Sequence, residues 1–368
     1  MKTDNRLEFR QVSERQERMT RPTQLTEEQP WTRPWWQYSE GNGPVLFYLI
    51  SIHALALAGL ILFPIPNWRV LAIGVAVLSI GGIGTTVCSH RCLAHRALRL
   101  NPIIESLLIF FTIFNASGEP MTWVANHRQH HAKSDTAEDV SSPRYGGFWW
   151  AHIRWVYQWS ASDVRRWCPD MDRRRYRIWR RLQTPIVVLS VFSGLLLGWQ
   201  AFFWIGAIRL VYALHFQMFV NSLLHMTPGL PEGVDSSRNI WWLGPLQFGA
   251  WGENWHRNHH SDANSARFGR HWWQVDIGWY VISGLSGLGL ASNIKPPKAQ
   301  LRETSALRAR RQNGGIAMPG TLPPDLQERL DLQDRLATQR ERAELDVIAT
   351  AGPIAVRDLG QEAVLTER

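Results

Sequence analysis

VLFYLISIHALALAGLILF, Val45 to Phe63, runs for nineteen residues without an Asp, Glu, Lys or Arg. About 20 apolar residues cross a bilayer core, so this stretch decides between a soluble and a membrane reading. Only PIPNWR separates it from a second uncharged run, VLAIGVAVLSIGGIGTTVC, Val70 to Cys88. A buried soluble helix rarely needs such length, and two in succession read as a hairpin through the membrane.

Working outward, residues 1–43 are polar and charged, with no apolar core for a cleavable signal peptide, so the first run is expected to serve as an uncleaved anchor. The next apolar run, IIESLLIFFTIFNASG, is shorter and carries Glu105, which predicts a membrane-dipping or partly buried hairpin rather than a full span. From Thr184 to His225 a longer run breaks near LLGWQA, which suits two helices joined by a tight turn. Arg209 inside it should face protein or water rather than lipid. NIWWLGPLQF and HWWQVDIGWYVISGLSGLGL, rich in tryptophan, are expected as helices at the interface.

The chain has 368 residues and a formal charge of +9, and its charges lie between the apolar blocks. About fifteen of the Lys and Arg fall between Ser89 and Gln183, whereas the loop at Asn67–Trp68 has one neighbouring arginine and the turn near Gly198 has none. By the positive-inside rule the 89–183 segment and both termini face the cytoplasm. The basic face suits an acidic carrier, an acidic electron donor or anionic lipid; nothing points to nucleic acid. Three cysteines, Cys88, Cys92 and Cys168, cannot build a disulfide framework and fit a reducing face. Cys88 and Cys92 flank His90, but no second cysteine pair completes a zinc pattern. Three regions follow: a polar N-terminal tail (1–35), a membrane domain (36–298) and a charged C-terminal tail (299–368). In the tail, PPDLQERLDLQDRLATQRERAELDVIA has a helix start and a partial apolar stripe at Leu332, Leu336, Ala343 and Val347.

Eight of thirteen histidines fall into three boxes. HRCLAH holds His90 and His95; HRQHH holds His127, His130 and His131; HRNHH holds His256, His259 and His260. Two boxes share the pattern H-x-x-H-H, whose offsets of three and four share a helix face, so each is expected to offer three imidazoles to one small volume. The first box, at offset five, fits no straight α-helical face and calls for a helix end or bend. All three boxes fall on the side assigned to the cytoplasm. Eight imidazoles exceed what one tetrahedral zinc takes, and two metal ions would use them well. Three unrelated surface clusters, or pH-sensing histidines, are the plainer alternative.

With these boxes between paired spans, the chain resembles the membrane fatty acyl desaturases of the stearoyl-CoA desaturase type, from about Trp36 to Lys295. SPRYGGFWWAHIRW after the second box, FVNSLLH near the fourth span and WWQVDIGWYVISGLSGLGLASNIK after the third box carry the resemblance further. It implies an all-α integral membrane fold of about four transmembrane helices, with a cytoplasmic helical cap carrying a histidine-rich di-iron site. The Asn-Ser-x-x-His of FVNSLLH would add His225 as a ninth ligand, with Asn221 holding a metal-bound water. The same resemblance implies two iron ions cycling between Fe2+ and Fe3+, O2 as co-substrate, and a cis double bond, at the delta-9 position, as product. The acyl group would ride on coenzyme A, acyl carrier protein or a lipid, with Arg144 the candidate carrier contact. Electrons would come from a separate ferredoxin or b-type cytochrome with its reductase, since no haem-binding HPGG occurs. Glu253 and Asp135 are candidate acceptors for ligand N–H groups. His152 and His215 match histidines common in the family, in packing or supporting roles, while His53 and His271 read as structural.

The chain departs from the family pattern at Asp139-Val140-Ser141, where Asp-Pro-His is common, at Asn254 and Arg257 in the third box, and at Arg154. None removes a ligand; each bears on the head group or substrate subtype. Two other readings compete. A hydroxylase on the same scaffold would insert oxygen. A metal transporter would carry polar ligands within several spans, whereas here the histidines cluster at one mouth.

Overall fold

A computed structural model describes residues 29–230, 234–246 and 251–298. Four helices among them are long and apolar enough to cross a membrane: Gly43–Leu62, Trp68–Ala94, Arg174–Leu197 and Trp199–His225. The first span is helix α1 (Gly43–Leu62). The second starts as α2 (Trp68–Ile83), capped by the Asn67 side chain on the Val70 N–H, and continues as a π-helix over Gly84–Ala94. Asn67 also donates to Gln200 Oε1 at 2.7 Å, joining the turn between the first two spans to the start of the fourth.

The short apolar run forms one helix, α3 (Pro102–Phe114), and a turn leads from it into α4 (Pro120–Ala132). Its turn holds Ala116 at φ 55° and Gly118 at φ 94°. Glu119 caps α4, accepting from the N–H groups of Met121 and Thr122. Glu105 is buried rather than set in lipid, where Arg175 and Tyr176 bind its carboxylate. A short α5 (Pro143–Trp149) follows, capped by Ser142.

The third span begins with α6 (Arg174–Phe192), and Gly198, at φ 96°, makes the tight turn into the fourth. That span passes through a π-helical stretch, Phe202–Ile208, into α7 (Arg209–Asn221). Arg209 is 4% exposed, inside protein as the sequence requires. Beyond the fourth span lie α8 (His256–Ser261) and α9 (Ile277–Gly287). The interfacial-helix expectation is met only in part. HWWQVD is non-helical: Gln274 Oε1 accepts the Arg270 and His271 N–H groups and Asp276 caps the start of α9 on the Trp279 N–H, and only Leu243–Leu246 of the earlier stretch is helical.

The largest core cluster packs the π-helix, α3, α4 and the start of α6 around Val87, Ile113, Val124 and Trp167. One two-stranded pairing, β1 (Arg99–Leu100) with antiparallel β2 (Ala291–Ser292), ties the end of the second span to the end of the described membrane domain. The ends of spans two and four and the start of span three therefore meet on one face of the bundle, where the histidine boxes stand. The 1–35 tail is described only from Gln29, and the C-terminal tail, with its expected helix, lies outside the described residues.

Candidate metal centre

The π-helix answers the question set by the first box. Its hydrogen bonds run from residue i+5 back to i, and the His95 N–H donates to the His90 carbonyl at 3.1 Å. Offset five thus becomes a single column, and the two rings stand 5.0 Å apart between centroids. No straight α-helix gives that relation.

The other two boxes do not each fill one volume, contrary to the sequence expectation. Nine histidines sort into two groups whose ligand atoms lie within 4.8 Å of one another: His90, His95, His127, His131 and His259; and His130, His225, His256 and His260. On α4 the i and i+4 histidines enter the first group and the i+3 histidine enters the second. On α8 the assignment is reversed. Residues i and i+4 differ by about 40° around a helix while i+3 turns the other way, so one box spans two sites. The groups touch: His131 of the first and His260 of the second stack at 4.4 Å.

Carboxylates orient several rings from behind. Glu253 holds His90 Nδ1 at 2.9 Å, Asp139 holds His130 Nδ1 at 2.9 Å, and Asp235 holds His260 Nδ1 at 3.0 Å. Asp135 lies 3.5 Å from His225 Nδ1 without hydrogen-bond geometry, and also accepts from Ser142 and the Ser236 N–H. Burial alone would raise the Glu253 carboxyl, but the His90 ring and Arg91 outweigh it and hold it below its usual value. Burial, then mutual repulsion, pushes His95, His127, His131, His256, His259 and His260 well below the ordinary histidine range. His130 moves the other way, because Asp139 overcomes its burial. Six rings are thus neutral near pH 7, the form that binds metal.

The donor set fits cations. His259 Nε2 is 3.0 Å from both His90 Nε2 and His131 Nε2. His256 Nε2 is 2.8 Å from His225 Nε2 and 3.1 Å from His260 Nε2. One ring nitrogen carries at most one proton, so each centre gathers more lone pairs than hydrogens to share among them. The Nδ1 atoms of His256 and His259 are buried without a partner. A metal ion at each convergence point resolves the surplus.

Two basic side chains that the sequence reading passed over lock this arrangement. Arg91, fully buried, pairs with Asp276 at 2.8 Å, donates to the Ala266 and Trp251 carbonyls, and lies 3.8 Å over the Phe268 ring, which packs on His259. Arg128 donates to the Leu93 and Ala94 carbonyls and to Asp170, fixing α4 against the first box. Their signal in the sequence is position: each adjoins a box histidine or lies inside a box. Asp139 was noted only as a departure from a family pattern, and Asp235 not at all.

Three further histidines form a separate chain. His53 Nδ1 donates to the Leu49 carbonyl, His53 Nε2 meets His215 Nε2 at 2.9 Å, and His215 Nδ1 meets His152 Nε2 at 2.9 Å. Burial and then His215 lower His152 to about 4, so it is neutral and packs as a polar fastener, ending on Ser222. His271 stacks on Trp273. Cys88 donates weakly to the Glu105 carbonyl and joins neither metal group. Asn221 ends α7, four residues before His225, with its amide nitrogen 3.9 Å from Met218 Sδ, and Arg144 donates to the Leu230 carbonyl at 2.7 Å.

The fatty acid desaturase family profile matches residues 66–285, which span both histidine groups. The chain belongs to the fatty acid desaturase family. It is 38% identical to the sn-1 stearoyl-lipid 9-desaturase of Synechocystis sp., over 69% of this chain and 80% of that protein. It is 35% identical to Delta-9 acyl-lipid desaturase 2 of Arabidopsis thaliana (70% and 84%), and 34% identical to icosanoyl-CoA 5-desaturase of Limnanthes douglasii (76% and 79%). The desaturase is an oxidoreductase acting on acyl chains, and the hydroxylase and transporter readings are not favoured.

Proposed function

We propose that this desaturase introduces a cis double bond at the delta-9 position of a saturated long-chain acyl group esterified to a membrane lipid. Support for the position and the carrier comes from the names of two relatives, the 9-desaturases of Synechocystis and Arabidopsis. The icosanoyl-CoA relative, 34% identical, keeps coenzyme A as the second carrier. The balance is one saturated chain, one O2, two electrons and two protons giving one alkene and two waters. The electrons come from a separate ferredoxin or b-type cytochrome.

Two irons are the proposed cofactors, one held by His90, His95, His127, His131 and His259, the other by His130, His225, His256 and His260. Asn221 is proposed to hold a water at the second group. Iron, when bound, supplies the O2 and electron chemistry that no side chain provides. The protein's own task is placement. Glu253, Asp139, Asp135 and Asp235 fix ring orientation, and the apolar spans keep bulk water from the chain's methylenes. Arg144 is proposed to contact the carrier at the rim. The boxes and both termini are proposed to lie on the cytoplasmic side, following the arginine distribution.

The observation that carries this reading is the convergence at His256 and His259, each with its Nε2 facing two others. The test is a fatty-acid profile from a host expressing the chain beside His259→Ala at matched level, with bond positions located by mass spectrometry and iron counted in the purified protein. A delta-9 monoene made only by the intact chain supports the proposal. A hydroxy acid in its place would overturn it.

A further inference from the structure

Among the nine histidines of the two groups, His225 alone belongs to no box. Its Nδ1 is buried without a hydrogen-bond partner among the described residues. His256 and His259 lack that partner too, but they share α8 with His260, whose ring Asp235 holds. The place of His225 must therefore come from its main chain. The fourth span leaves α7 at Asn221, and Leu223–His225 wind as a 3-10 turn with the His225 N–H on the Ser222 carbonyl at 3.3 Å. On the far side of the turn, Arg238 takes the Leu223 and Leu224 carbonyls at 2.9 Å, and the Ser236 hydroxyl donates to the His225 carbonyl at 2.6 Å. On the near side the hold is Ser222, fully buried, with its Oγ 3.0 Å from His152 Nδ1 and 2.9 Å from the Met218 carbonyl.

His152 stands on a π-helical stretch, Trp150–Arg154, outside the spans, and its chain of rings runs through His215 of the fourth span to His53 of the first. Counting hydrogens gives this chain a direction. The Leu49 carbonyl can only accept, so His53 Nδ1 carries the hydrogen of that ring and its Nε2 is bare. A charged ring within a span is costly, so each ring has one hydrogen. His215 Nε2 then donates to His53, and His152 Nε2 donates to His215 Nδ1. His152 Nδ1 is left bare, facing the Ser222 hydroxyl. The reverse order would set two lone pairs against each other at His53 Nδ1 and the Leu49 carbonyl, 2.7 Å apart. A serine near a helix end bonds by default back to its own helix. Here the hydroxyl is drawn instead to a ring whose orientation the first span dictates.

We propose that the His53–His215–His152 chain positions the four-histidine group: through Ser222 it fixes where the fourth span ends, and so where the main chain presents His225. This rests on the reading of His225 as a metal ligand. His152 and Ser222 are positioning residues and touch no reacting atom. The five-histidine group takes no ligand from this end of the fourth span, so loosening Ser222 should weaken one metal site and spare the other. Packing alone predicts a different result. Phe148 and Phe219 lie 4.9 Å from the His152 ring, and another aromatic ring would keep those contacts while losing Ser222.

The test measures iron binding to the full-length protein in detergent by chelator competition, with Mössbauer spectra to separate the two irons. His225→Ala serves as the reference that marks which iron belongs to the four-histidine group. Ser222→Ala and His152→Phe should each weaken that iron by about tenfold and leave the other at wild-type affinity. Combining them should cost no more than either alone, because both break one contact. His152→Asn sets an amide oxygen where Nδ1 stands and should restore most of the affinity. His152→Gln reaches only the Nε2 position, towards His215, and should not. A monodisperse profile shows that each variant is folded; if His152→Phe does not fold, Ser222→Ala, the smaller change, decides. Equal weakening of both irons, or Asn and Gln variants that behave alike, would reduce the chain to packing and overturn the proposal. Wild-type affinity for both irons in Ser222→Ala would do the same. If His225→Ala itself keeps both irons at wild-type affinity, the ligand reading fails and the positioning role with it.

Discussion

The backbone N–H of His95 donates to the carbonyl of His90, five residues earlier, at 3.1 Å. This bond, at the end of the π-helical turns that finish the second span, converts a spacing unsuited to an α-helix into a ligand pair on one face. The prediction is direct. Moving the second ligand one residue back, as His95→Ala with Ala94→His, gives the offset an α-helix would favour. The double variant should bind iron no better than His95→Ala alone, both at least about tenfold more weakly than wild type. Chelator competition on purified protein checks it, and recovery of iron in the double variant would contradict the π-helical register.

The acids behind the rings should differ in weight. Asp139 is fully buried behind His130 and also accepts the N–H groups of Asp135 and Ser141, whereas the Asp235 side chain is 39% exposed. Asp139→Asn should weaken iron binding by about 10–100-fold, and Asp235→Asn by the low end of that range or less. Equilibrium titration against a chelator of known affinity separates them.

Acid should destabilise the metal-free protein early. Six box histidines have folded-state values far below the ordinary one, so on acidification the unfolded chain takes up protons first. Stability contributed by these neutral rings is full above about pH 6.5 and falls as pH drops below it. Asp170 adds a second, lower step. Burial alone would raise it, but Arg128 and Arg96 hold it down, so its contribution is present above about pH 4 and lost below. Thermal unfolding in detergent with chelator, scanned across pH, should show both, and Asp170→Asn should remove only the lower.

Gly252 has φ 105°, and a Cβ there would stand 2.2 Å from Asp276 Oδ1 and 2.9 Å from Arg91 Nη2. Gly252→Ala therefore strains the backbone and wedges apart a fully buried ion pair. A loss of about 3–5 kcal/mol is expected, read as a fall in Tm and in the yield of folded protein. Gly284→Ala, in α9 with open space around its Cβ position, is the control.

Arg144 is exposed, with its guanidinium on the Leu230 carbonyl. If it meets the carrier, Arg144→Ala should raise KM several-fold with kcat little changed, the pattern of lost ground-state binding. A fall in kcat at constant KM would assign it elsewhere.

Four spans, the shorter apolar helix with its Glu105, the burial of Arg209 and the gathering of the histidines were legible in the sequence because each rests on hydrophobic length or on a residue type too costly to place idly. The allocation of the boxes was not. H-x-x-H-H marks a helix face, but which ring serves which group depends on how α4 and α8 face each other, and that is set by contacts distant in sequence such as Arg91 with Asp276. Asp235 was missed for the same reason: its partner, His260, is 25 residues away across a turn and part of the chain outside the described residues. The π-helical register of the second span was hidden because nothing in GTTVCSHRCLA excludes α-helix; what is legible there is only the close approach to α3, where a Cβ on Gly84 would stand 2.5 Å from the Leu108 carbonyl oxygen.

The pairing of Arg99–Leu100 with Ala291–Ser292, and the division of α8 between both histidine groups, bear on biosynthesis. The two groups reach their full complement only once residues 259 and 260 have left the ribosome, and the clasp closes about thirty residues later still. A chain arrested after three spans would carry histidines but no finished cage. Metal uptake by these groups would thus report on completed insertion, and a cell that withholds metal would leave a protein whose last-made segment has the least to hold it in place.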